Sequence, residues 1–479
     1  MSERYVIGID VGTTGTKAIL FSEKGACLKT AYAGYPLSTP QTGHVEQSAN
    51  DWWQAVGQTV RQVSEGYARQ VVALSLSTQG GTMVCVDKYG EPLRPAFVWN
   101  DSRCEKQAQA FAAQFGADTM YQKTGWVLFS GMPAMQIRWV RENEPTIFEK
   151  TALFATVPDF IALKMTGKAA IDPSNAGINQ LIDVQKGCYD REILDFVGID
   201  ESRLPALLPS GSVIGNLTQE AAAFLGLTTE ALLISGAHDQ YAVALGAGAT
   251  RPGDLLIGSG TAWVVTALEE KPAFSGLSQS RSATPGLWGS LCSLSHGGIC
   301  LDWLRKNILG TPQNTVDYET LNREISPVKA AQEGLFFFPF GGNQNKAHFV
   351  GLDLSHNRFH MARAVMEGIV FQIRMMLEKF DAQPSQAGIL LAGGASKSPV
   401  WVKLLSDITG LPVRIPQMAD LACVGAAVLA GLGAGLYATA EEGCKALSVA
   451  EKTVYPDPEA TKMYASLYSQ YKEFMRCFL

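Results

Sequence analysis

A short unit made of a strand, a turn rich in glycine and threonine, and a returning strand occurs twice in this chain. The first copy covers residues 4–21 with its turn at 11–15, and the second covers residues 254–266 with its turn at 258–261. Strands elsewhere alternate with helical patterns, which predicts an α/β architecture. This repeated unit favours a duplicated fold with a boundary near residues 246–253.

The length supports more than one domain. A chain of 479 residues and 51.5 kDa exceeds what one hydrophobic core usually supports. We therefore expect a first domain over residues 1–247 and a second over 248–479. The aromatic residues near the C-terminus keep helical spacing and predict a last helix at about 459–478 that packs back on the first domain.

Composition excludes several classes of protein. With 47% hydrophobic and 18% charged residues the chain is globular rather than disordered. The net charge is −6 and there is no basic cluster, so we expect no nucleic-acid partner. Nine cysteines without a C-x-x-C pair argue against disulfides and zinc.

Residues 421–440 carry no charge, but their glycines and alanines favour a tightly packed helix over a membrane span. A strand follows the first residues directly, so we expect no signal peptide and a cytoplasmic protein.

The first glycine-rich turn has the donors that a phosphate needs. Glycines let backbone N–H groups converge, while Thr13, Thr14 and Lys17 add hydroxyl and ammonium donors. Asp10 at the strand end could orient a hydrated magnesium ion. The Walker pattern is absent, and a strand rather than a helix follows, which excludes the Rossmann fingerprint. The alternative is a hairpin turn made of residues that tolerate positive φ. The second turn, with Gly260 and Thr261, could grip a triphosphate from the other side.

A carboxylate stands where another strand ends and a helix begins. Asp239 lies there, at the positive end of the helix dipole, and could accept a proton from a substrate hydroxyl. Aspartate is also a favoured N-cap, so a capping role stays open. We interpret His238 beside it as a hydrogen-bonded turn residue.

Two further segments suit a sugar and a nucleoside. Trp99, Asp101 and Arg103, which follow the segment 77–81, offer an indole face and charged groups to a polyhydroxylated ligand. The alternative is an exposed loop with a surface Asp–Arg pair. The glycine pair at 393–394 precedes a helix and would permit close approach of a flat nucleoside, although alone it is only a strand–helix connection.

The order of these motifs resembles the FGGY carbohydrate kinases, the family of xylulose, glycerol and related sugar kinases. The likeness covers essentially the whole chain, and it rests on short segments in the family's order at residues 8–14, 43–47, 99–103, 238–240, 258–261, 334–340, 364–368 and 393–399.

The resemblance implies two ribonuclease-H-like domains of the actin and Hsp70 type, with a cleft between them for Mg²⁺-ATP and a small sugar. The activity it implies is ATP-dependent phosphorylation of a primary hydroxyl of a ketose or sugar alcohol, with Asp239 as general base. It assigns the phosphates and magnesium to Asp10, Thr13, Thr14, Lys17, Gly260 and Thr261. The adenosine would lie near Gly393, Gly394 and Ser398, and the sugar near Gln79, Gly80, Trp99, Asp101, Arg103, Asp239 and Gln240. A homodimer is a family-level expectation.

Two departures from the family bear on the substrate. Xylulose kinases carry Met-His after the glutamine that corresponds to Gln79, whereas this chain has Gly80 and Gly81. That change removes an imidazole from the expected sugar site. The loop at 341–350 is also shorter than usual. Two other functions stay open: an actin- or Hsp70-like ATPase that acts on a protein partner, and a non-catalytic sensor of sugar or nucleotide.

Overall fold

The computed structural model describes residues 3–311, 313–331, 334–341, 346–380, 385, 387–418, 420–447 and 451–476. The strands of the described chain are β1 (Tyr5–Val11), β2 (Gly15–Ser22), β3 (Cys27–Gly34), β4 (Glu46–Gln47), β5 (Val71–Thr78), β6 (Met83–Val86), β7 (Ala96–Phe97), β8 (Leu153–Thr156), β9 (Ala170–Ile171), β10 (Ile182–Asp183), β11 (Cys188–Tyr189), β12 (Ala206–Leu207), β13 (Val213–Asn216), β14 (Leu232–His238), β15 (Leu255–Ser259), β16 (Trp263–Glu269), β17 (Ser278–Arg281), β18 (Trp288–Leu294), β19 (Phe336–Gly341), β20 (Lys346–Val350), β21 (Ile389–Gly393), β22 (Val413–Pro416) and β23 (Glu451–Val454).

The helices are α1 (Ala49–Ser64), α2 (Glu105–Phe115), α3 (Ala117–Thr124), α4 (Pro133–Asn143), α5 (Pro145–Lys150), α6 (Val157–Thr166), α7 (Pro173–Ile178), α8 (Arg191–Val197), α9 (Gln219–Leu225), α10 (Asp239–Gly246), α11 (Gly298–Leu304), α12 (Tyr318–Ile325), α13 (Arg358–Leu377), α14 (Pro399–Thr409), α15 (Leu421–Gly433), α16 (Ala440–Leu447) and α17 (Pro458–Met475). Short 3-10 turns lie at Glu201–Arg203 and Gly394–Lys397, and a π turn lies at Arg305–Leu309. No described helix is long and apolar enough to cross a membrane.

Two mixed sheets carry the same strand pattern. In the six-stranded sheet the order is β13-β14-β5-β1-β2-β3, with β1 antiparallel to β2 and parallel to β5. In the seven-stranded sheet the order is β17-β18-β16-β15-β21-β22-β23, with β15 antiparallel to β16 and parallel to β21. Each predicted strand–turn–strand unit therefore forms the centre of a sheet, and the shared topology supports a duplicated fold.

The chain divides into two compact units. The first comprises Met1–Arg251, Leu268–Ser290 and Asp420–Val449, and the second comprises Pro252–Ala267, Leu291–Ala419 and Ala450–Leu479. The predicted ranges 1–247 and 248–479 differ from these units because two later segments return to the first one. A boundary read from sequence alone divides a chain only once, so these returns were not foreseen.

Helix α15 forms part of the core of the first unit. It packs on β1, β5, β14 and α10. The approach is close: a Cβ at Gly425 would lie 1.9 Å from the Ala242 carbonyl oxygen. The first part of the uncharged segment at 421–440 is thus the tightly packed small-residue helix that the sequence predicts, but this helix ends at Gly433 and α16 begins at Ala440.

Helix α17 packs within the second unit, which differs from its predicted place on the first. The ring of Tyr471 stacks on Phe338 with centroids 4.4 Å apart, and Tyr468 stacks on Phe371 at 5.9 Å. The helix also packs against α14. The aromatic stripe identified the buried face of the helix but not the surface that covers it.

Candidate active site

The first glycine-rich turn joins β1 to β2 in the first unit. The N–H of Gly12 donates to the Gly15 carbonyl at 3.0 Å, and none of residues 12–15 has a positive φ. The turn is a β-hairpin, as the alternative has it, but it does not use the positive φ on which that alternative relied. A Cβ at Gly12 would meet only the Gly15 oxygen, at 3.6 Å. Neither strain nor packing requires glycine there, and the open space leaves the backbone accessible to a ligand.

The second turn shows the same property in the second unit. A Cβ at Gly258 would have its nearest neighbour at 3.9 Å, and one at Gly260 would have its nearest at 3.4 Å. Gly393 is different, because its φ is +90° and a Cβ would lie 2.4 Å from the Ser259 oxygen. The fold itself therefore accounts for the glycine at 393.

A cavity of about 460 Å³ lies beside the second turn. It brings together four predicted nucleotide residues, Gly260, Thr261, Gly394 and Ser398, whereas Gly393 does not line it. A volume of this size is typical of small-molecule sites.

Sequence reasoning missed several residues that line this cavity, among them Trp263, Asp302, Tyr318 and Asn322. The Ser398 hydroxyl donates to Asn322 Oδ1 at 2.7 Å, and the Tyr318 hydroxyl donates to Asp302 Oδ1 at 2.7 Å. Asp302, Tyr318 and Asn322 belong to helices without a motif, so the sequence contains no local signal for them. Trp263 begins β16, two residues after the predicted turn.

In the first unit, Asp10 stands near the end of β1 among other charges. The Ser77 hydroxyl donates to Asp10 Oδ1 at 2.7 Å. Burial raises the pKa of the Asp10 carboxyl to about 6, and the negative charges of Asp239 and Asp420 add to this rise. The hydrogen bond from Ser77 and the charge of Lys17 oppose it. Lys17 itself forms an ion pair with Asp420, so part of its charge is already compensated within the protein.

These groups fit a magnesium ion. The described residues contain no cluster of three or more metal-ligating side chains. Magnesium usually keeps several waters and takes only one or two carboxylates, with phosphates completing its shell. Burial and neighbouring negative charge both raise the pKa of Asp10, and a divalent cation would stabilise its ionised form.

Among the described residues, no hydrogen bond to the Asp239 side chain explains its position. His238 occupies the N-cap position and Asp239 is the first helical residue, so the capping alternative does not hold. Oδ1 of Asp239 is buried without a hydrogen-bond partner among the described residues. Nε2 of His238 lies 3.1 Å from that oxygen, but the contact falls short of hydrogen-bond geometry.

Gln79 connects the first turn to the predicted sugar segment. Its Oε1 accepts from the hydroxyls of Thr13 at 3.1 Å and Thr82 at 3.2 Å. Its Nε2 donates to Gln47 Oε1 at 3.0 Å. The Trp99 indole N–H donates to Thr13 Oγ1 at 3.3 Å, which leaves the ring 42% exposed. The structure thus brings Thr13, Gln79 and Trp99 together.

Asp101 and Arg103 do not offer free groups to a sugar, unlike the prediction. Asp101 is fully buried, and its oxygens accept from the Val45 N–H at 2.7 Å and from Arg103 Nη2 at 2.7 Å. Arg103 also pairs with Glu46 at 2.9 Å. The surface-pair alternative is wrong too, because both side chains are enclosed. They hold the loop that presents Trp99.

The remaining predicted residues adjoin those already described. The exposed Thr14 accepts a hydrogen bond from the Tyr32 hydroxyl at its carbonyl oxygen. Gly80 lies against His238, and Gln240 is half-buried in the first turn of α10. In the shortened loop at 341–350, residues 342–345 lie outside the described residues.

The two mixed sheets define an α/β protein with the two-domain ATPase fold of actin and Hsp70. Sugar kinases of similar structure share this fold. Residues 5–246 match the model of the N-terminal domain of the FGGY family of carbohydrate kinases. Residues 256–434 match the model of the C-terminal domain of that family. The chain belongs to the FGGY family and is a carbohydrate kinase.

Known members resemble the chain over nearly all its length. It is 28% identical to the xylulose kinase of Bacillus subtilis, with 98% of this chain and 96% of that protein covered. It is 27% identical to the gluconokinase of the same organism, with 91% and 88% covered. The crystal structure of xylulose kinase from Rhodospirillum rubrum superposes with a TM-score of 0.91 at 27% identity, with 99% of each chain covered. A kinase of this family takes a small sugar as substrate and uses ATP.

Proposed function

We propose that this kinase phosphorylates a primary hydroxyl of a small ketose or sugar alcohol, with Asp239 as general base. The observation that carries the proposal is the state of Asp239. It follows the last residue of β14, begins α10, and has an oxygen without a hydrogen-bond partner among the described residues. Only that oxygen is buried, and the Asp239 side chain as a whole is 32% exposed, so the carboxylate stays accessible to a ligand.

The chemistry requires little more than a positioned base and charge stabilisation. Asp239 would accept the proton of the sugar hydroxyl as its oxygen attacks the terminal phosphoryl group of ATP. The N-terminal end of α10 favours the ionised form of the carboxylate. Trp99 would supply an apolar face to the sugar, and Thr13 and Gln79 fix the backbone around it.

We propose Asp10 as the residue that holds magnesium, through its bound waters. When bound, the ion supplies charge neutralisation to the phosphates of ATP. In the second unit, Gly260 and Thr261 would contact phosphates, and Gly394 and Ser398 would lie beside the adenosine. In the first unit, Thr13 and Thr14 stay the predicted phosphate ligands. Lys17 would reach a phosphate only by leaving Asp420.

The relatives widen the choice of substrate to test. Proteins named xylulose kinase and gluconokinase resemble this chain to nearly the same degree. A ketopentose and an aldonate therefore both belong in the panel, beside ketohexoses and alditols. The Gly80–Gly81 pair bears on this choice, since one unpaired buried polar group can change preference by orders of magnitude.

The deciding experiment is ADP release with Mg²⁺-ATP across that panel, for wild type and Asp239→Asn. We expect strong turnover on one sugar class and a loss of about 10²–10⁴-fold in kcat in the variant. Asp200→Asn is the matched control, because Asp200 caps a short 3-10 turn and Asn keeps that cap.

Each other outcome contradicts a defined part of the proposal. Turnover that persists in Asp239→Asn would remove the general-base role. If no sugar in the panel raises ADP release while sugars still bind saturably, the ketose and alditol assignment fails and a sensor function gains support.

A further inference from the structure

We propose that His238 is the positioning residue for Asp239, and that Gly80 is glycine because it makes room for the His238 ring. This inference rests on the proposed function, since it assigns Asp239 the role of general base. It also gives the Gly80–Gly81 pair a second role. From the sequence alone, this pair indicates only that the imidazole of the xylulose kinases is lost.

The backbone of β14 is irregular just before His238. Against β5, Ile234 pairs with Ser75 while Ala237 pairs with Ser77, so Ser235 and Gly236 together oppose Leu76 alone. Gly236 permits this bulge, because a Cβ there would lie 1.8 Å from the Leu76 oxygen. Bulges of this kind redirect the side chains that follow them and are common next to active sites.

The redirected imidazole is held on several sides. The Trp126 ring meets it edge-on with centroids 6.4 Å apart, and the Tyr241 ring does so at 5.8 Å. Both rings are themselves fixed: the Trp126 N–H donates to Ser280 Oγ at 2.9 Å, and the Tyr241 hydroxyl donates to the Gly289 oxygen at 2.9 Å. The backbone N–H of His238 donates to Ser174 Oγ at 2.9 Å.

Gly80 completes the enclosure of the ring. A Cβ built on Gly80 would lie 2.8 Å from His238 Cδ2 and 2.5 Å from Ile178 Cδ1. The φ of Gly80 lies outside the left-handed region, so its backbone does not call for glycine. Space for the imidazole and for Ile178 is therefore the reason for glycine at this position.

The held ring lies against the carboxylate of Asp239. His238 Nε2 is 3.1 Å from Asp239 Oδ1. Among the described residues, neither that oxygen nor His238 Nδ1 has a hydrogen-bond partner. Hydrogen bonds at catalytic groups are often poorly aligned without substrate and tighten when it binds. A donor on Oδ1 would fix the carboxylate and leave Oδ2 to accept the proton of the sugar.

The test is a double-mutant cycle on kcat and KM, with the sugar that wild type phosphorylates. We expect His238→Ala to lower kcat by about 10- to 100-fold, the cost of a misplaced catalytic group, with KM for the sugar changed less than about threefold. His238→Gln keeps a nitrogen donor near the place of Nε2 and should recover about tenfold of this loss.

Gly80→Ala should lower kcat in the wild-type background because it displaces the imidazole. In the His238→Ala background, where the ring is gone, the same change should have less than about twofold effect. Gly215→Ala is the matched control: its φ is also unexceptional, and its Cβ would have neighbours no closer than 3.6 Å. This control should leave kcat unchanged.

Several results would overturn the inference. One is an unchanged kcat in His238→Ala. Another is a loss that His238→Gln does not relieve, and a third is a Gly80→Ala effect of the same size in both backgrounds. Urea unfolding midpoints of all variants identify any loss that comes from unfolding. A wild type without turnover on any sugar would instead contradict the proposed function, and this inference with it.

Discussion

Glycines near the two turns differ in what they do for the protein. Gly8 and Gly12 lie on the same hairpin, only four residues apart, yet their surroundings are opposite. A Cβ at Gly8 would lie 1.9 Å from the Cys423 oxygen, whereas one at Gly12 would have its nearest neighbour at 3.6 Å. The first glycine is needed for packing, and the second is free to serve a ligand.

We therefore expect Gly12→Ala to raise KM for ATP by about tenfold, since a methyl group obstructs the phosphates at a cost of about 1.4 kcal/mol. Its unfolding midpoint should stay within error of wild type. Gly8→Ala should instead lower stability by several kcal/mol, because backbone atoms of α15 must move. Steady-state kinetics and urea unfolding measure the two effects, and a destabilised Gly12→Ala would contradict this division.

Sequence reasoning located single residues best where a strand ends. Asp10 and Asp239 were predicted because each carboxylate stands at or beside the end of a strand, and the structure places both there. Their roles stay predictions. Asp101 and Arg103 were assigned to the sugar because sequence cannot show that Val45 and Glu46, more than fifty residues earlier, occupy their polar groups. His238 was interpreted as a turn residue for a similar reason, since the sequence does not show that its ring lies against Gly80.

At the scale of one element, helix α6 begins with a buried acid. Asp159 accepts from the Thr156 N–H at 2.9 Å in a capping box and has no exposed surface. Burial raises the pKa of Asp159 to about 7, and the charge of Asp172 adds to the rise. The folded state therefore favours the protonated form of this carboxyl up to about pH 7.

This raised pKa predicts how stability depends on pH. Between about pH 4 and 7 the folded state binds the Asp159 proton more tightly than the unfolded state, so stability falls as pH rises, by at most about 4 kcal/mol. Asp159→Asn should flatten this slope in urea unfolding midpoints measured from about pH 4.5 to 8.

Asp183→Asn is the matched control for the pH experiment. Burial alone would raise the pKa of Asp183, but hydrogen bonds from Lys186 outweigh it and lower the pKa. Its contribution to stability is then lost only in acid, and the slope between about pH 4.5 and 7 should stay. A slope that persists in Asp159→Asn would assign it to other groups.

Elements were easier to predict than their partners. The four-residue spacing from Met361 to Leu377 identified α13, and the run before Gly393 identified β21, because periodicity and turn residues are local signals. The packing of α17 was predicted wrongly because a stripe of tyrosines shows which face is buried and not which surface buries it. The returns of residues 268–290 and 420–449 to the first unit depend on distant pairing in the same way.

For the whole molecule, the predicted nucleotide residues that line the cavity all belong to one of the two units. The cavity of about 460 Å³ is lined only by residues of the second unit. We expect two calorimetric transitions, and ADP at 100 times its Kd should stabilise the one of the second unit by about 2.7 kcal/mol. Tyr471→Ala identifies that transition, because Tyr471 is fully buried in the second unit. An ADP shift confined to the other transition would contradict the nucleotide assignment.

Because α15 belongs to the first unit, this unit can complete its core only late in synthesis at the ribosome. Strand β1 leaves the ribosome early, but the helix that covers it begins at Leu421, about 170 residues after the first unit's longest segment ends at Arg251. At about 5–20 residues per second this gap lasts roughly 10 to 30 seconds. During that time the apolar face of the first sheet lacks its cover. Nascent chains of this kinase are therefore expected to need chaperone protection, and a fragment that ends at residue 251 should not fold alone.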